Sequence, residues 1–172
     1  MSAGIVAAST PAEIAACRDL FVAYQRALGV SLCFQNFDQE VAGLPGDYAP
    51  PRGGLWLAWM DEVPVGCVAL RPLGASDAEM KRLYVSGAHR GHGLGRALAR
   101  TAIGAAAALG YRALRLDTLP SMMEAQKLYE ELGFVPIGPY NDNPIAGTRF
   151  LELDLTHAVS ATTAHTGAPR FR

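Results

Sequence analysis

The chain has 172 residues, 50% of them hydrophobic and 18% charged, a balance that suits a packed globular unit and excludes a disordered one. Its formal net charge of −1 supplies no whole-molecule field for nucleic acid or an anionic membrane, so neither is an expected partner. Three widely spaced cysteines, Cys17, Cys33 and Cys67, lack zinc-ligand or redox-motif spacing and read as small hydrophobes in a reducing compartment. With no signal-like N-terminus and no apolar run of membrane-spanning length, the expected location is cytoplasmic.

Ile5–Ala8 is a candidate first strand. Thr10-Pro11-Ala12-Glu13 has the form of a capping box with proline at the first helical position. Ile14, Cys17, Phe21, Tyr24 and Leu28 then recur at helical spacing, and Gly29 stops the helix. Val30–Gly54 is irregular, punctuated by Leu44-Pro45-Gly46 and Pro50-Pro51-Arg52-Gly53-Gly54, with a short helix expected over Phe37–Ala42. A connection of this length is usually functional or mobile. Leu55–Met60 and Val63–Leu70 flank Asp61-Glu62 as a hairpin, and Ala78–Val85 adds a third strand to the meander.

A glycine-rich loop then leads into a helix from about Gly93 to Leu109, with the stripe Leu94, Leu98, Thr101/Ala102, Ala105 and Leu109. Gly110 ends it and Ala113–Thr118 follows as a strand. Ser121-Met122-Met123-Glu124 has the form of a second capping box, and the helix behind it carries Met122, Ala125, Tyr129 and Leu132 on one face. After Gly133, Phe134–Ile137 and Arg149–Leu155 are the last strands, joined by the turn-rich loop Pro139–Gly147. From Thr156 the composition predicts a frayed tail. The predicted fold class is α+β, a mixed α/β sandwich. Its central sheet is mostly antiparallel with one right-handed parallel crossover, from Ala78–Val85 to Ala113–Thr118, and helices on both faces. One domain over residues 1–155 is expected, with 156–172 as its tail.

The segment Arg90-Gly91-His92-Gly93-Leu94-Gly95-Arg96 carries the clearest chemistry. Glycines between a strand and a helix start let backbone N–H groups crowd around an anion, and the helix N-terminus adds unpaired donors. Arg90 and Arg96 bracket the turn and offer charge-assisted bonds. A plain tight turn would use the same glycines. The spacing is not the G-x-G-x-x-G dinucleotide fingerprint, and no Lys-Ser or Lys-Thr follows as in a nucleotide P-loop. No G-x-S-x-G elbow or H-E-x-x-H pair occurs, and His89 and His92 lack companions at metal spacing, so no metal is expected.

The run Glu79-Met80-Lys81-Arg82-Leu83-Tyr84-Val85, followed by Arg90-Gly91-His92-Gly93-Leu94-Gly95, resembles the central motif of the GNAT superfamily of N-acetyltransferases. Ala125-Gln126-Lys127-Leu128-Tyr129-Glu130-Glu131-Leu132-Gly133-Phe134 resembles its second signature. The resemblance spans roughly residues 5–155 in element order. It implies acetyl-coenzyme A as acyl donor, with the backbone around Leu83, Tyr84 and Val85 pairing with the pantetheine arm as an extra strand would. It also implies that amides from His92 to Arg96 hold the pyrophosphate, and that the Val85 amide donates to the thioester oxygen. Met122 stands where the family often has a cofactor-binding Asn, so either Ser121 substitutes or that contact is absent.

The implied reaction is acetyl transfer to a primary amine of a small molecule or peptide by direct attack; the alternative is a non-catalytic acyl-coenzyme A sensor. An alkyl amine with a pKa near 10 is only about 0.1% neutral at pH 7, a penalty of about 4 kcal/mol, so a general base is useful. Glu79 is the candidate base, against a reading as an ion-paired carboxylate. The resemblance makes Tyr129 the candidate general acid toward the leaving thiolate, against a reading as a core tyrosine. Phe37, Tyr140 and Asn143 are candidate acceptor contacts because loops on a rigid scaffold usually set specificity. A second copy of the chain is a candidate assembly partner.

Overall fold

The residues described by this computed structural model, 2–33 and 36–157, form one seven-stranded sheet in the order β1-β2-β3-β4-β5-β7-β6. β1 (Ala3–Ala7), β2 (Gly54–Met60), β3 (Val63–Leu73) and β4 (Asp77–Val85) make the expected antiparallel meander. β5 (Ala113–Thr118) runs parallel to β4 after the crossover helix α3 (Leu94–Ala108). At the end of the chain, sequence order and spatial order part. β7 (Arg149–Asp154) inserts between β5 and β6 (Val135–Ile137), antiparallel to both.

Helix α1 (Pro11–Leu28) begins with both halves of its capping box: the Glu13 amide donates to Thr10 Oγ1 at 3.2 Å, and the Thr10 amide donates to Glu13 Oε2 at 2.9 Å. Gly29, at φ 67°, closes it in the left-handed region. The second expected box is not made. Met122 is the N-cap of α4 (Met123–Glu131) and no side chain caps it, which puts Ser121 and Glu124 one residue out of register for the reciprocal bonds. The Gln126 side chain instead donates to the Leu119 carbonyl at 2.7 Å and ties the first turn of α4 to the end of β5.

Alternate residues of β3 enter opposite cores, as the two-residue repeat of a strand requires. Val68 and Leu70 join Leu94, Leu98 and Ala102 of α3 and Tyr129 of α4 on one face. Cys67 and Ala69 join Cys17 and Phe21 of α1 and Phe37 of α2 (Phe37–Ala42) on the other. Ala99, Ala102 and Ala106 are fully buried, so α3 lies close against the sheet, whereas Leu109, expected in its stripe, is 45% exposed. Helices thus cover both faces, as predicted. The tail expected from Thr156 lies, past residue 157, outside the described residues. Among the described residues no helix is long and apolar enough to cross a membrane.

The connection into β2 leaves no room for a side chain at Gly53. A Cβ there would lie 2.7 Å from Asp47 O and Tyr48 C and 2.8 Å from Leu70 O, all backbone atoms. Gly53→Ala is expected to destabilise the protein by about 1–3 kcal/mol, the usual range for overpacking. Denaturant titration measures this, and unchanged stability would mean that the segment around Tyr48 yields freely.

Candidate functional site

β4 and β5 pair only where Asp77–Glu79 meets Ala113–Arg115. Past Glu79, β4 remains attached to β3, and past Arg115, β5 remains attached to β7, so the two halves of the sheet diverge into a wedge. A bulge sharpens the divergence: the β3–β4 register shifts between Cys67 and Ala69, opposite Arg82 at φ 59°. Such a φ is uncommon outside glycine, and the Arg82 side chain accounts for the residue. Its guanidinium donates to Glu40 at 2.8 and 3.2 Å, and Tyr48 Oη donates to the same carboxylate at 2.8 Å. Burial opposes the charge on Glu40, but the Arg82 bonds and charge outweigh it and hold the carboxyl below its usual range.

A cleft of about 570 Å³ follows the free edge of β4 toward the start of α3. Of the residues expected to hold the cofactor, Leu83, Tyr84, Val85, Arg90, Gly91, Gly93, Leu94, Gly95 and Ser121 line it. The side chains of His92 and Arg96 are not among its lining; Arg96 is ion-paired with Glu131, while Arg90 Nε donates to the Val85 carbonyl at 3.1 Å. Gly93, at φ 76°, is the N-cap of α3, and no side chain among the described residues caps the helix. Its first amides and the positive end of the helix dipole suit an anion. Gly91 also has positive φ, at 82°, so both glycines are explained by the turn. Gly95 is not: it sits in the first turn of α3, and a Cβ there would meet only Leu128 Cδ2 and Val85 Cγ2 at 3.9 Å. Its bareness toward the cleft fits close approach of a ligand.

At the wedge lies a smaller void of about 30 Å³, whose lining includes Lys81, Arg82, Asp117, Tyr129 and Asn143. Tyr24, Leu83 and Met122 line both spaces, which are therefore neighbours. Tyr129 is 5% exposed, and its ring meets Phe134 edge-on at 5.7 Å. Its hydroxyl makes no hydrogen bond among the described residues, and burial pushes the phenol well above its usual pKa. Burial likewise raises Tyr24, to about 12. Asn141 and Asn143 donate to Asp117 Oδ2 at 3.0 and 3.3 Å.

The structure separates the other expected site residues. Glu79 lines neither space: it is 1% exposed, with Oε1 2.8 Å from Arg71 and Oε2 accepting from Tyr140 Oη at 2.7 Å. Tyr140 is therefore turned onto Glu79, its ring against Phe150 at 5.4 Å. Phe37 is 1% exposed and packs beneath the Arg82 guanidinium, 5.0 Å from its ring centroid. Asn143 alone of the three expected acceptor contacts reaches the wedge. Tyr24, Lys81, Asp117 and Met122 were not expected there. Tyr24 has the spacing of a core residue, and Asp117 lies in a strand with no motif of its own, so the sequence carried no signal for either.

The sequence matches the acetyltransferase (GNAT) family over residues 15–134. It is 37% identical over 155 residues to an uncharacterised N-acetyltransferase of Schizosaccharomyces pombe, a similarity covering 88% of this chain and 94% of that one. The fold is similar to that of a GNAT acetyltransferase of Staphylococcus aureus Mu50, with TM-score 0.75 and 18% identity over 90% of this chain and 99% of the other. It is also similar to a GNAT acetyltransferase of Elizabethkingia anophelis solved with acetyl-CoA bound, with TM-score 0.62 and 20% identity over 88% and 97% of the two chains. The matched segment runs from α1 through the wedge and the glycine loop to the end of α4, and on that evidence the chain belongs to the acetyltransferase (GNAT) family.

Proposed function

We propose that this protein transfers the acetyl group of acetyl-coenzyme A to a primary amine of a small molecule or peptide, as a single unit spanning residues 1–155. The observation that carries the reading is adjacency. The cleft at the uncapped, glycine-lined start of α3 shares Tyr24, Leu83 and Met122 with the void at the wedge, where the Tyr129 hydroxyl has no protein partner among the described residues. Amides from His92 to Arg96 suit the pyrophosphate, the free edge of β4 at Leu83–Val85 suits an amide-bearing arm, and Ser121 borders the same cleft. Bound there, acetyl-coenzyme A would supply a thioester whose acyl carbon passes to the acceptor nitrogen as its C–S bond breaks.

The protein's own groups manage charge and protons. The Val85 amide is the assigned donor to the carbonyl oxygen as negative charge develops there. Tyr129, kept protonated by burial, can donate to a departing thiolate and regain its proton from the acceptor nitrogen, which loses one as the amide forms. Glu79, the candidate base, is closed off by Arg71 and Tyr140, and we assign it to holding the Tyr140 loop against β4. Acetyl transfer over a panel of amino acids, polyamines, aminoglycosides and peptide N-termini tests the activity. Tight acetyl-coenzyme A binding without transfer to any of them would leave an acyl-coenzyme A sensor.

Three variants test the assignments. Gly95→Val is expected to keep the melting temperature within a few degrees while acetyl-coenzyme A affinity falls at least tenfold by calorimetry, because only the ligand side of the helix is filled. Tyr129→Phe is expected to lower single-turnover acetyl transfer by about 100-fold or more with little change in cofactor affinity. A normal single-turnover rate would return Tyr129 to the core. Glu79→Gln is expected to lower thermal stability while leaving the pH dependence of kcat/KM for the amine unchanged. A general base would instead show its deficit most strongly at low pH, where the amine is protonated, so that profile would restore Glu79 to catalysis.

A further inference from the structure

The cleft and the void at the wedge share one stretch of wall. Tyr24, Leu83 and Met122 line both, and the void adds Leu32, Leu119 and Tyr129. Met122 comes from the turn that carries the chain from β5 into α4. Its side chain has a fixed place there, because Thr118 Oγ1, on a buried residue of β5, donates to Met122 Sδ at 3.8 Å. An unbranched thioether is otherwise among the most adaptable of apolar side chains. The free edge of β4 leads from the glycine loop past Val85 to Leu83, so the far end of an arm laid along it arrives at this shared wall.

Resting on the acetyl-transfer reading, we propose that the void receives the carbon chain of the acyl group and that Met122, held by Thr118, limits that chain to the two carbons of acetyl. The void, about 30 Å³, has room for about two waters at the roughly 10–15 Å³ each requires. The methyl of an acetyl group is water-sized and fills one such place, and the attacking nitrogen needs the other. A propionyl chain takes both places, and a butyryl chain exceeds them. Most of the walls cannot yield: Leu32 and Leu119 are buried, and a longer chain would move them only by repacking the core behind them. Elsewhere the lining is Lys81, Asp117 and Asn143, polar groups that gain nothing from an added methylene. Met122 is different. It is half-buried and borders the wider cleft, so it is the wall whose loss would merge the two spaces.

The test uses the full chain, the best-used amine of the panel above, and acetyl-, propionyl- and butyryl-coenzyme A, with release of the free thiol as readout. In the wild-type protein kcat/KM is expected to fall about fivefold or more from acetyl to propionyl and further to butyryl, the scale of an extra methylene forced into close packing. Met122→Ala is expected to raise the butyryl-to-acetyl ratio about tenfold or more, because three side-chain atoms leave the shared wall. Met122→Val is expected to move the ratio the same way by less, and decides the matter if the alanine variant does not fold. Met122→Leu, of similar bulk and stiffer, is expected to keep the ratio within about threefold of wild type. A merely structural role for Met122 would lower all three donors together and leave the ratio alone. Wild-type protein that uses butyryl-coenzyme A as well as acetyl-coenzyme A, or a ratio unmoved in the folded Met122 variants, would overturn this assignment and leave acetyl transfer standing. Binding of the donors with no transfer to any amine of the panel would overturn both.

Discussion

The structure depends on a ladder that stops early. β4 and β5 share hydrogen bonds over three residues each, Asp77–Glu79 and Ala113–Arg115, and then separate. Both strands stay in the sheet beyond that point because each has an antiparallel partner on its other side, β3 for β4 and β7 for β5. Backbone groups released along β4 remain polar and need partners, so the gap is chemically prepared for a ligand that brings its own amides. The cleft and the void lie at this divergence, and Tyr129 lines the void.

Two ion pairs on the α1–α2 face hold the wedge from behind. Arg82 reaches Glu40 with two hydrogen bonds, and Arg71 reaches Glu79 directly across the β3–β4 pair. Buried pairs of this kind add little net stability over apolar packing, but losing one partner strands the other and typically costs about 3–5 kcal/mol. Their value here is geometric. Arg82 fixes the bulge that aims Leu83 and Val85 at the cleft, and Glu79 fixes Tyr140, whose loop continues to Asn141 and Asn143 at Asp117. The carboxylate offered by the sequence as a base is thus bonded to Arg71 and to the loop at the far wall of the site.

The glycines divide by the same logic. Gly53 and Gly66 are bare because backbone or core atoms already occupy the space: a Cβ at Gly66 would sit 2.9 Å from Tyr84 O. Gly91 and Gly93 are bare because the turn needs positive φ. Gly95 is bare with ordinary backbone, and a Cβ there would make only ordinary contacts at 3.9 Å with Leu128 and Val85, so neither packing nor backbone conformation requires glycine. Three physical reasons for one residue type therefore sit within one chain, and only the last points outward to a partner.

Local signals in the sequence determined most of the elements. The Thr10–Glu13 box, the α2 segment, the hairpin about Asp61-Glu62 and the strand Ala113–Thr118 were legible because caps, turns and periodicity act within a few residues. The glycine loop was legible because its chemistry is also local, and the signature around Tyr129 marked the family. Three things were not local. The insertion of β7 between β5 and β6 is a choice among pairings of distant strands. The failure of the Ser121–Glu124 box reflects where β5 delivers the chain to α4. The assignment of carboxylates turned on where the β4–β5 ladder ends, since Glu79 lies in its last pair and Asp117 two residues past the matching residue of β5. Both acids stand on neighbouring strands, and the sequence motif drew attention to Glu79 and not to Asp117. Only tertiary pairing closed one beneath Arg71 and Tyr140 and opened the other to the void, because strand divergence is set by partners far away in the chain.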